Sequence, residues 1–242
     1  MNMTSRLCFG VRSLPTMEDI PSLCKRLQQI FAHAESRAYM DSICGLAEHP
    51  GRPEIVAARI GALSLLVDLA VQARANGMNI PPAETWILRR DEHGRPYTSV
   101  SDFPFDFNVS HSNAHVACAI LTGKGRVGID VEEPIPEARA ARLWARYATE
   151  HEQTHLPTKQ DFSDAFTRIW TVREAMAKQD GRGMPLRFDA TSCPPHLRVI
   201  CGTLSDTGAS LSLCFPADVG DKVLPPLIGH INWNEFKNPP VG

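Results

Sequence analysis

The segment WTVREAMAK, residues 170–178, contains side chains that could do chemistry. At 3.6 residues per turn, one stripe of a helix here would carry Phe166, Trp170, Glu174 and Lys178. Taken alone, an acid and an amine one turn apart form an ordinary surface pair, which stabilises a helix by about 0.3–0.5 kcal/mol. A functional role becomes the better interpretation only because a second acidic element lies upstream.

The second acidic element is RVGIDVEE, residues 126–133. Its side chains alternate as in a strand, so Asp130 and Glu132 stand on the same face. Like charges this close raise one pKa unless a cation lies between them, and Mg²⁺ commonly uses one or two carboxylates plus phosphate oxygens. The alternative interpretation is a half-buried strand with its acidic face in water. The two carboxylates alone do not decide between this strand and a metal site.

A third element, NVSHS at residues 108–112, adds a histidine and two hydroxyls just before an apolar run. Three acids, one lysine and one histidine suit chemistry on a magnesium-bound pyrophosphate. The metal neutralises charge, the lysine steadies the leaving phosphate, and a carboxylate takes a proton from the attacking group.

Periodicity and breakers predict the elements that must position these groups. We expect helices over 18–31, 52–76 and 137–147, and a further helix that starts near Asp161–Asp164 and stops at 180–185. We expect strands over 84–90, 103–111, 113–121 and 126–133, with TGKG at 122–125 as a hairpin connection and short strands LRVICG and SLSLCF near the end. Thr149 and Glu152 match a capping box.

Composition excludes several classes of protein. The 242 residues have 43% hydrophobic content and a net charge of −2, so no basic field indicates nucleic acid. The apolar runs are too short to cross a bilayer, and the N-terminus lacks a secretory pattern, so we expect a cytoplasmic protein. Seven cysteines without CxxC, and histidines without HExxH, argue against disulfides and structural zinc.

The order GRP, FNVSHS, GIDVE and WTVREAMAKQDGRG resembles the Sfp/EntD-type 4′-phosphopantetheinyl transferases. The family pattern is G-K-P, F-N-x-S-H-S, G-I-D-x-E and W-x-x-K-E-A-x-x-K-x-x-G-x-G. The match runs from Gly94 to Gly183. Each motif alone is weak, but the combination is specific.

The resemblance implies a transfer of the phosphopantetheine arm of coenzyme A to a serine of a carrier protein, with release of adenosine 3′,5′-bisphosphate. It implies that Mg²⁺ is held against the pyrophosphate by Asp130, Glu132 and Glu174. It further implies that Lys178 contacts the phosphate that is attacked, and that Ser110 and His111 meet the phosphates of the nucleotide half, with His111 at the 3′-phosphate.

The resemblance also assigns roles outside these motifs. Arg95 stands where the family usually has lysine, and a fork replaces a point charge. Arg59 resembles an arginine that the family uses on the 3′-phosphate, and Glu152 resembles the proposed general base. Arg173 replaces the lysine before the motif glutamate. From the residues alone, Arg59 fits a solvated surface role and Glu152 a capping role.

The family fold is α+β: two similar α/β halves in a pseudo-two-fold arrangement, with coenzyme A in the cleft between them. It predicts an N-terminal half over residues 1–125 and a C-terminal half over 126–242. By analogy we expect a monomer whose partners are acyl carrier proteins of fatty acid biosynthesis, peptidyl carrier proteins of siderophore biosynthesis, or both. Two alternatives are another Mg²⁺-dependent phosphodiester hydrolase and a non-enzymatic binding module.

Overall fold

The computed structural model describes residues 5–44, 53–100, 104–155, 162–182, 189–190, 192–219 and 222–223. The strands are β1 (Arg6–Ser13), β2 (Ile87–Arg90), β3 (Pro96–Ser99), β4 (Phe105–His111), β5 (His115–Thr122), β6 (Gly128–Glu132), β7 (Leu197–Thr203) and β8 (Ser210–Pro216). The α-helices are α1 (Ile20–Ile30), α2 (Ala34–Cys44), α3 (Pro53–Ala75), α4 (Glu137–Tyr147), α5 (Glu150–His155) and α6 (Phe162–Asp180).

Two antiparallel three-stranded sheets form the centre of the fold. The first sheet has the order β1-β5-β4 and the second has the order β6-β8-β7. The helix α3 packs against the first sheet through one apolar cluster, and α6 packs against the second sheet through another. This mixed α/β architecture with antiparallel sheets agrees with the class that the resemblance implies.

The two sheets meet through a shared apolar layer. Phe9, Ala119 and Leu121 of the first sheet pack with Ile129 and Leu213 of the second. The central strand β5 is therefore buried along its whole length, with α3 on one side and the second sheet on the other. This double burial is the physical reason for its continuous apolar run.

The expected hairpin at residues 122–125 is wrong. β5 pairs with β1 and β4, whereas β6 pairs with β8, so these residues carry the chain from one sheet to the other. A glycine-rich tetrapeptide fits both a hairpin and a crossover, and the choice depends on where distant β8 lies.

Most other elements fall within a few residues of their predicted ranges. The helix over 137–147 has the predicted bounds, and that over 52–76 is observed as Pro53–Ala75. The helix α2 was not predicted. The helix α6 ends at Asp180, followed by Gly181 at φ 82°; Asp161 and residues 183–185 lie outside the described residues. Among the described helices, none combines the length and hydropathy needed to cross a bilayer.

Candidate active site

A cavity of about 420 Å³ brings together residues that lie far apart in the sequence. Its acidic lining residues are Asp130, Glu132 and Glu174, and its cationic or imidazole lining residues are Arg59, Arg90, His111 and Lys178. The cavity therefore contains both carboxylates and cations, contributed by elements that contact each of the two sheets. Such a site suits an anionic ligand bound together with a divalent metal ion.

A close backbone approach places the carboxylate of α6 beside those of β6. A Cβ atom added to Gly128 would overlap the carbonyl oxygen of Ala175 and lie 2.6 Å from the backbone nitrogen of Gln179. Only glycine lets helix and strand come this close. The cavity-facing stretch of α6, which includes Glu174 and Lys178, is thereby held against β6.

The carboxylates repel one another and are partly removed from water. Burial, followed by the charge of Asp130, raises the pKa of Glu132 from 4.5 to about 7. The same two causes raise the pKa of Glu174 above its usual 4.5. Nearby cations, including Lys178, offset only part of both effects.

The acid cluster fits a divalent cation in its chemistry. The Oδ2 atom of Asp130 is buried, and among the described residues it has no hydrogen-bond partner. An unpartnered carboxylate oxygen, beside two acids with raised pKa values, gains most from a bound metal ion. In the part of the chain that is described, no set of three or more His, Cys, Asp or Glu side chains is closed around a common metal position.

Lys178 links the helix to the acid cluster. Its Nζ atom lies 2.7 Å from Oδ1 of Asp130, 2.8 Å from the Oγ atom of Ser110 and 3.2 Å from the carbonyl oxygen of Ile129. Ser110 in turn donates to the same Asp130 oxygen over 2.8 Å. Lysine, serine and aspartate thus form one polar network at the cavity wall.

The predicted nucleotide-binding residues Arg59 and His111 also line the cavity. Burial, followed by the positive charge of Lys178, lowers the pKa of His111 below 6.5. The sequence did not indicate Tyr39 or Arg90 as lining residues; the guanidinium carbon of Arg90 lies 5.1 Å from the centre of the Tyr39 ring. Arg90 precedes the GRP motif, but the adjacent Arg89 gave the same sequence signal.

Arg95 lies outside the cavity lining, and its guanidinium forms hydrogen bonds with other groups of the protein. Its guanidinium donates to the Oδ2 atom of Asp106 at 2.6 Å and to the carbonyl oxygens of Phe107 and Val127 at 2.9 and 3.0 Å. It also donates to the carbonyl oxygen of Lys178. With 9% of its side chain exposed, Arg95 joins β4, the residue before β6 and the end of α6.

Glu152 also lies outside the cavity lining, and its side chain is fully buried. One carboxylate oxygen accepts the backbone N–H of Ala190 over 2.9 Å. The other accepts the backbone N–H of Thr149 over 2.8 Å and pairs with the guanidinium of Arg173. Since the Glu152 N–H reaches the Thr149 hydroxyl at 3.1 Å, the predicted capping box is confirmed.

Side chains of β4 accept hydrogen bonds along the free edge of β6 and from the residue before it. The backbone N–H groups of Val127, Ile129 and Val131 donate to side chains of β4 over 2.8, 3.0 and 3.4 Å. The acceptors, in the same order, are Asp106, Asn108 and Ser110. Alternate side chains of one strand thus replace the backbone partners that an edge strand otherwise lacks.

The fold and the cavity define a mixed α/β protein with a cavity suited to phosphate and a metal ion. Residues 126–216 match the family model of the 4′-phosphopantetheinyl transferase superfamily. This match agrees with the resemblance that the motifs indicate.

Individual relatives carry the same family name. The 4′-phosphopantetheinyl transferase gsp of Aneurinibacillus migulanus is 33% identical over 123 residues, which cover 50% of this chain and 49% of that protein. The transferase Sfp of Bacillus subtilis (strain 168) is 33% identical over 108 residues, covering 43% and 46%. AcpT of Escherichia coli (strain K12) is 30% identical over 129 residues, covering 52% and 64%. The chain spans about half the length of the curated relatives it matches.

Proposed function

We propose that this protein transfers the 4′-phosphopantetheine arm of coenzyme A to a serine of an apo carrier protein and releases adenosine 3′,5′-bisphosphate. The observation that carries the proposal is the cavity in which Asp130, Glu132 and Glu174 lie beside Lys178 and His111. These are the groups that the family motifs assign to the metal and the phosphates. The names of the relatives support the same activity.

In this proposal Asp130, Glu132 and Glu174 hold Mg²⁺. When bound, the ion neutralises the charge of the pyrophosphate and orients its oxygens. The unpartnered Asp130 oxygen and the raised pKa values of the two glutamates support this assignment. Lys178 offsets only part of the repulsion among the three acids, so a bound divalent ion would stabilise their charged forms further.

The remaining lining residues bind and orient coenzyme A. Lys178 contacts the phosphate that is attacked, while His111 and Arg59 hold the phosphates of the nucleotide half. The hydroxyl of Ser110 contacts the same phosphates in this proposal, while its network with Asp130 and Lys178 orients the lysine. Arg95 is also assigned to coenzyme A binding; its contacts favour an action through the backbone of Lys178.

The transfer forms a bond between the carrier serine oxygen and the phosphorus atom next to pantetheine. The bond from that phosphorus to adenosine 3′,5′-bisphosphate breaks, and the serine proton goes to a carboxylate. Glu152 remains our proposed general base, as the resemblance suggests. Its burial and its pairing with Arg173 mean that it would have to exchange partners to accept the proton.

The family analogy supports two similar halves, residues 1–125 and 126–242, in a pseudo-two-fold arrangement with coenzyme A in the cleft between them. A cavity lined by both Arg59 and Glu174 is compatible with this division. We further propose that the protein is a monomer, since one chain supplies both sides of the cavity. We also propose a cytoplasmic location.

The partners in this proposal are acyl or peptidyl carrier proteins of fatty acid or siderophore biosynthesis, whose helices are acidic. The helix α4 offers a basic surface for them. Arg139, Arg142 and Arg146 are exposed, and the charge of Arg139 acts on Glu132 in the cavity. Complementary charge speeds encounter and fixes orientation.

Mass spectrometry of carrier proteins tests the function. The protein is mixed with coenzyme A, MgCl₂ and several apo carriers, and each carrier is examined for the mass of the added arm. We expect transfer that EDTA abolishes and that a carrier with its serine changed to alanine does not show. Phosphodiester hydrolysis without carrier labelling would favour the hydrolase alternative, and no Mg²⁺-dependent coenzyme A binding by calorimetry would favour the binding module.

A further inference from the structure

Glu133, the residue directly after β6, holds the turn between β4 and β5. Its Oε1 atom accepts the hydroxyl of Ser112 at 2.6 Å, Nδ1 of His115 at 2.8 Å and the N–H of Ala114 at 3.3 Å. Its Oε2 atom accepts the N–H of Asn113 at 2.9 Å. One carboxylate therefore binds donors from four consecutive residues, the three of the turn and the first of β5.

The residue after the turn, His115, also contacts the turn between β7 and β8. The ring of His115 has 4% of its side chain exposed, and its Nε2 atom lies 3.4 Å from the hydroxyl of Thr207. Thr207 belongs to the turn between β7 and β8, so this histidine lies between two elements of the second sheet. Because Nδ1 faces a carboxylate, it is the nitrogen that carries the proton.

The β4–β5 turn and Glu133 each directly follow a residue that lines the cavity. His111, at the end of β4, precedes the turn directly, and Glu132 precedes Glu133 directly. Each of these neighbours lines the cavity. A change in the distance between turn and β6 would therefore move a proposed phosphate ligand relative to a proposed metal ligand.

We propose that Glu133 is a positioning residue: it fixes the β4–β5 turn to the end of β6 and thereby sets where His111 stands relative to the acid cluster. The contacts of Glu133 support its hold on the turn, independently of the function of the protein. The consequence for ligand binding rests on the proposed function, in which His111 binds coenzyme A.

Replacing one oxygen by an amide group tests the contact directly. Glu133→Gln keeps the shape of the side chain, but its NH₂ group cannot accept a hydrogen bond, so either the Asn113 N–H or the donors at the other oxygen lose their acceptor. We expect the amide that loses its acceptor, that of Asn113 or that of Ala114, to exchange with solvent at least about tenfold faster, and the His111 ring resonance to shift. Glu133→Ala should show both effects more strongly. The matched control is Glu84→Gln at an exposed carboxylate.

Calorimetry then tests the effect of Glu133 on coenzyme A binding. With MgCl₂ present, Glu133→Gln should weaken coenzyme A binding about tenfold, the scale seen when an orienting residue is lost. If Glu133 acts through His111, combining it with His111→Ala should add little to the loss of His111→Ala alone. Additive losses would overturn this route.

The two arms separate the inference from the proposed function. Unchanged amide exchange and an unmoved His111 resonance in both Glu133 variants would overturn the positioning role. A wild-type protein that binds no coenzyme A would reject the proposed function, while the exchange and resonance measurements would still decide the role of Glu133.

Discussion

Glu152 and Arg173 form an ion pair in which both side chains are buried, with 0% and 2% of their surfaces exposed. The pair joins the start of α5 to the middle of α6, and Arg173 also donates to the carbonyl oxygen of Tyr147 at 2.8 Å. A buried pair costs desolvation but becomes far more costly when one partner is lost.

The first prediction concerns this pair. Glu152→Gln should lower the free energy of unfolding by about 3–5 kcal/mol, because it leaves the Arg173 charge buried without its partner. The double variant Glu152→Gln/Arg173→Met should recover most of the stability, measured by chemical denaturation. If Glu152 is the base, the double variant stays inactive with nearly normal coenzyme A affinity; restored turnover would reject that role.

The second prediction concerns the approach of α6 to β6. Gly128→Ala should cost about 1–3 kcal/mol through overpacking, since the added carbon meets backbone of Ala175 and Gln179 that cannot yield by a rotamer change. Transfer should be lost, because Glu174 and Lys178 move away from Asp130. Gly208→Ala is the control: its Cβ would meet no atom of the described residues within 4 Å, so it bears only the strain of φ 73°, and transfer should persist.

The third prediction concerns the repulsion among the acids. In EDTA at pH 8, Glu132→Gln should raise the melting temperature by about 2–4 °C, the scale of 1 kcal/mol in a chain of this size. The physical reason is that burial and Asp130 disfavour the charged form of Glu132, whose pKa is raised to about 7. Added MgCl₂ should stabilise the wild type but not this variant. Equal stabilisation of both by Mg²⁺ would place the ion elsewhere.

The fourth prediction concerns α4. The charge reversal Arg142→Glu/Arg146→Glu should raise the KM for an acidic carrier about tenfold at low salt and leave coenzyme A affinity unchanged. The difference should shrink as NaCl screens the charges. The control Lys25→Glu/Arg37→Glu makes the same charge change at exposed positions of α1 and α2. Equal effects of both double variants would mean that net charge alone matters.

The fifth prediction is a pH dependence away from the cavity. The Oδ atoms of Asp68, on α3, lie 2.7 Å from Arg12 and 2.5 Å from Arg26. Burial alone would raise the pKa of Asp68, but hydrogen bonds from Arg26 and Arg12 outweigh it and lower the pKa below 3.8. The stabilisation that Asp68 gains from the two arginines is therefore complete above the pKa of Asp68 in the unfolded state. It is lost as pH falls through the lower pKa of Asp68 in the folded state.

Asp68→Asn should therefore reduce stability at pH 7 by roughly 1 kcal/mol, the upper range for exposed pairs. The difference from wild type should narrow as pH falls below 3.8. Denaturation at several pH values measures it, and a difference that stays constant with pH would mean that packing, not charge, causes the loss.

Local patterns in the sequence determined the helices and strands whose signals repeat every few residues. The bounds of α4, the capping box of Thr149 and Glu152 and the inward face of β6 follow from side-chain periodicity and short-range hydrogen bonds. The motifs likewise identified the acids and the lysine that share the cavity. Each of these inferences requires contacts between residues close in sequence, or a resemblance that already contains the distant ones.

The tertiary structure decided what depends on partners far along the chain. Residues 122–125 became a crossover because β8 pairs with β6, and Arg95 turned from the cavity because Asp106 and three backbone carbonyls receive its guanidinium. Arg90 entered the cavity lining, whereas Arg89 pairs with Glu35. A side chain's type and spacing specify which bonds it can make, but only the packed chain determines which donor or acceptor lies within reach.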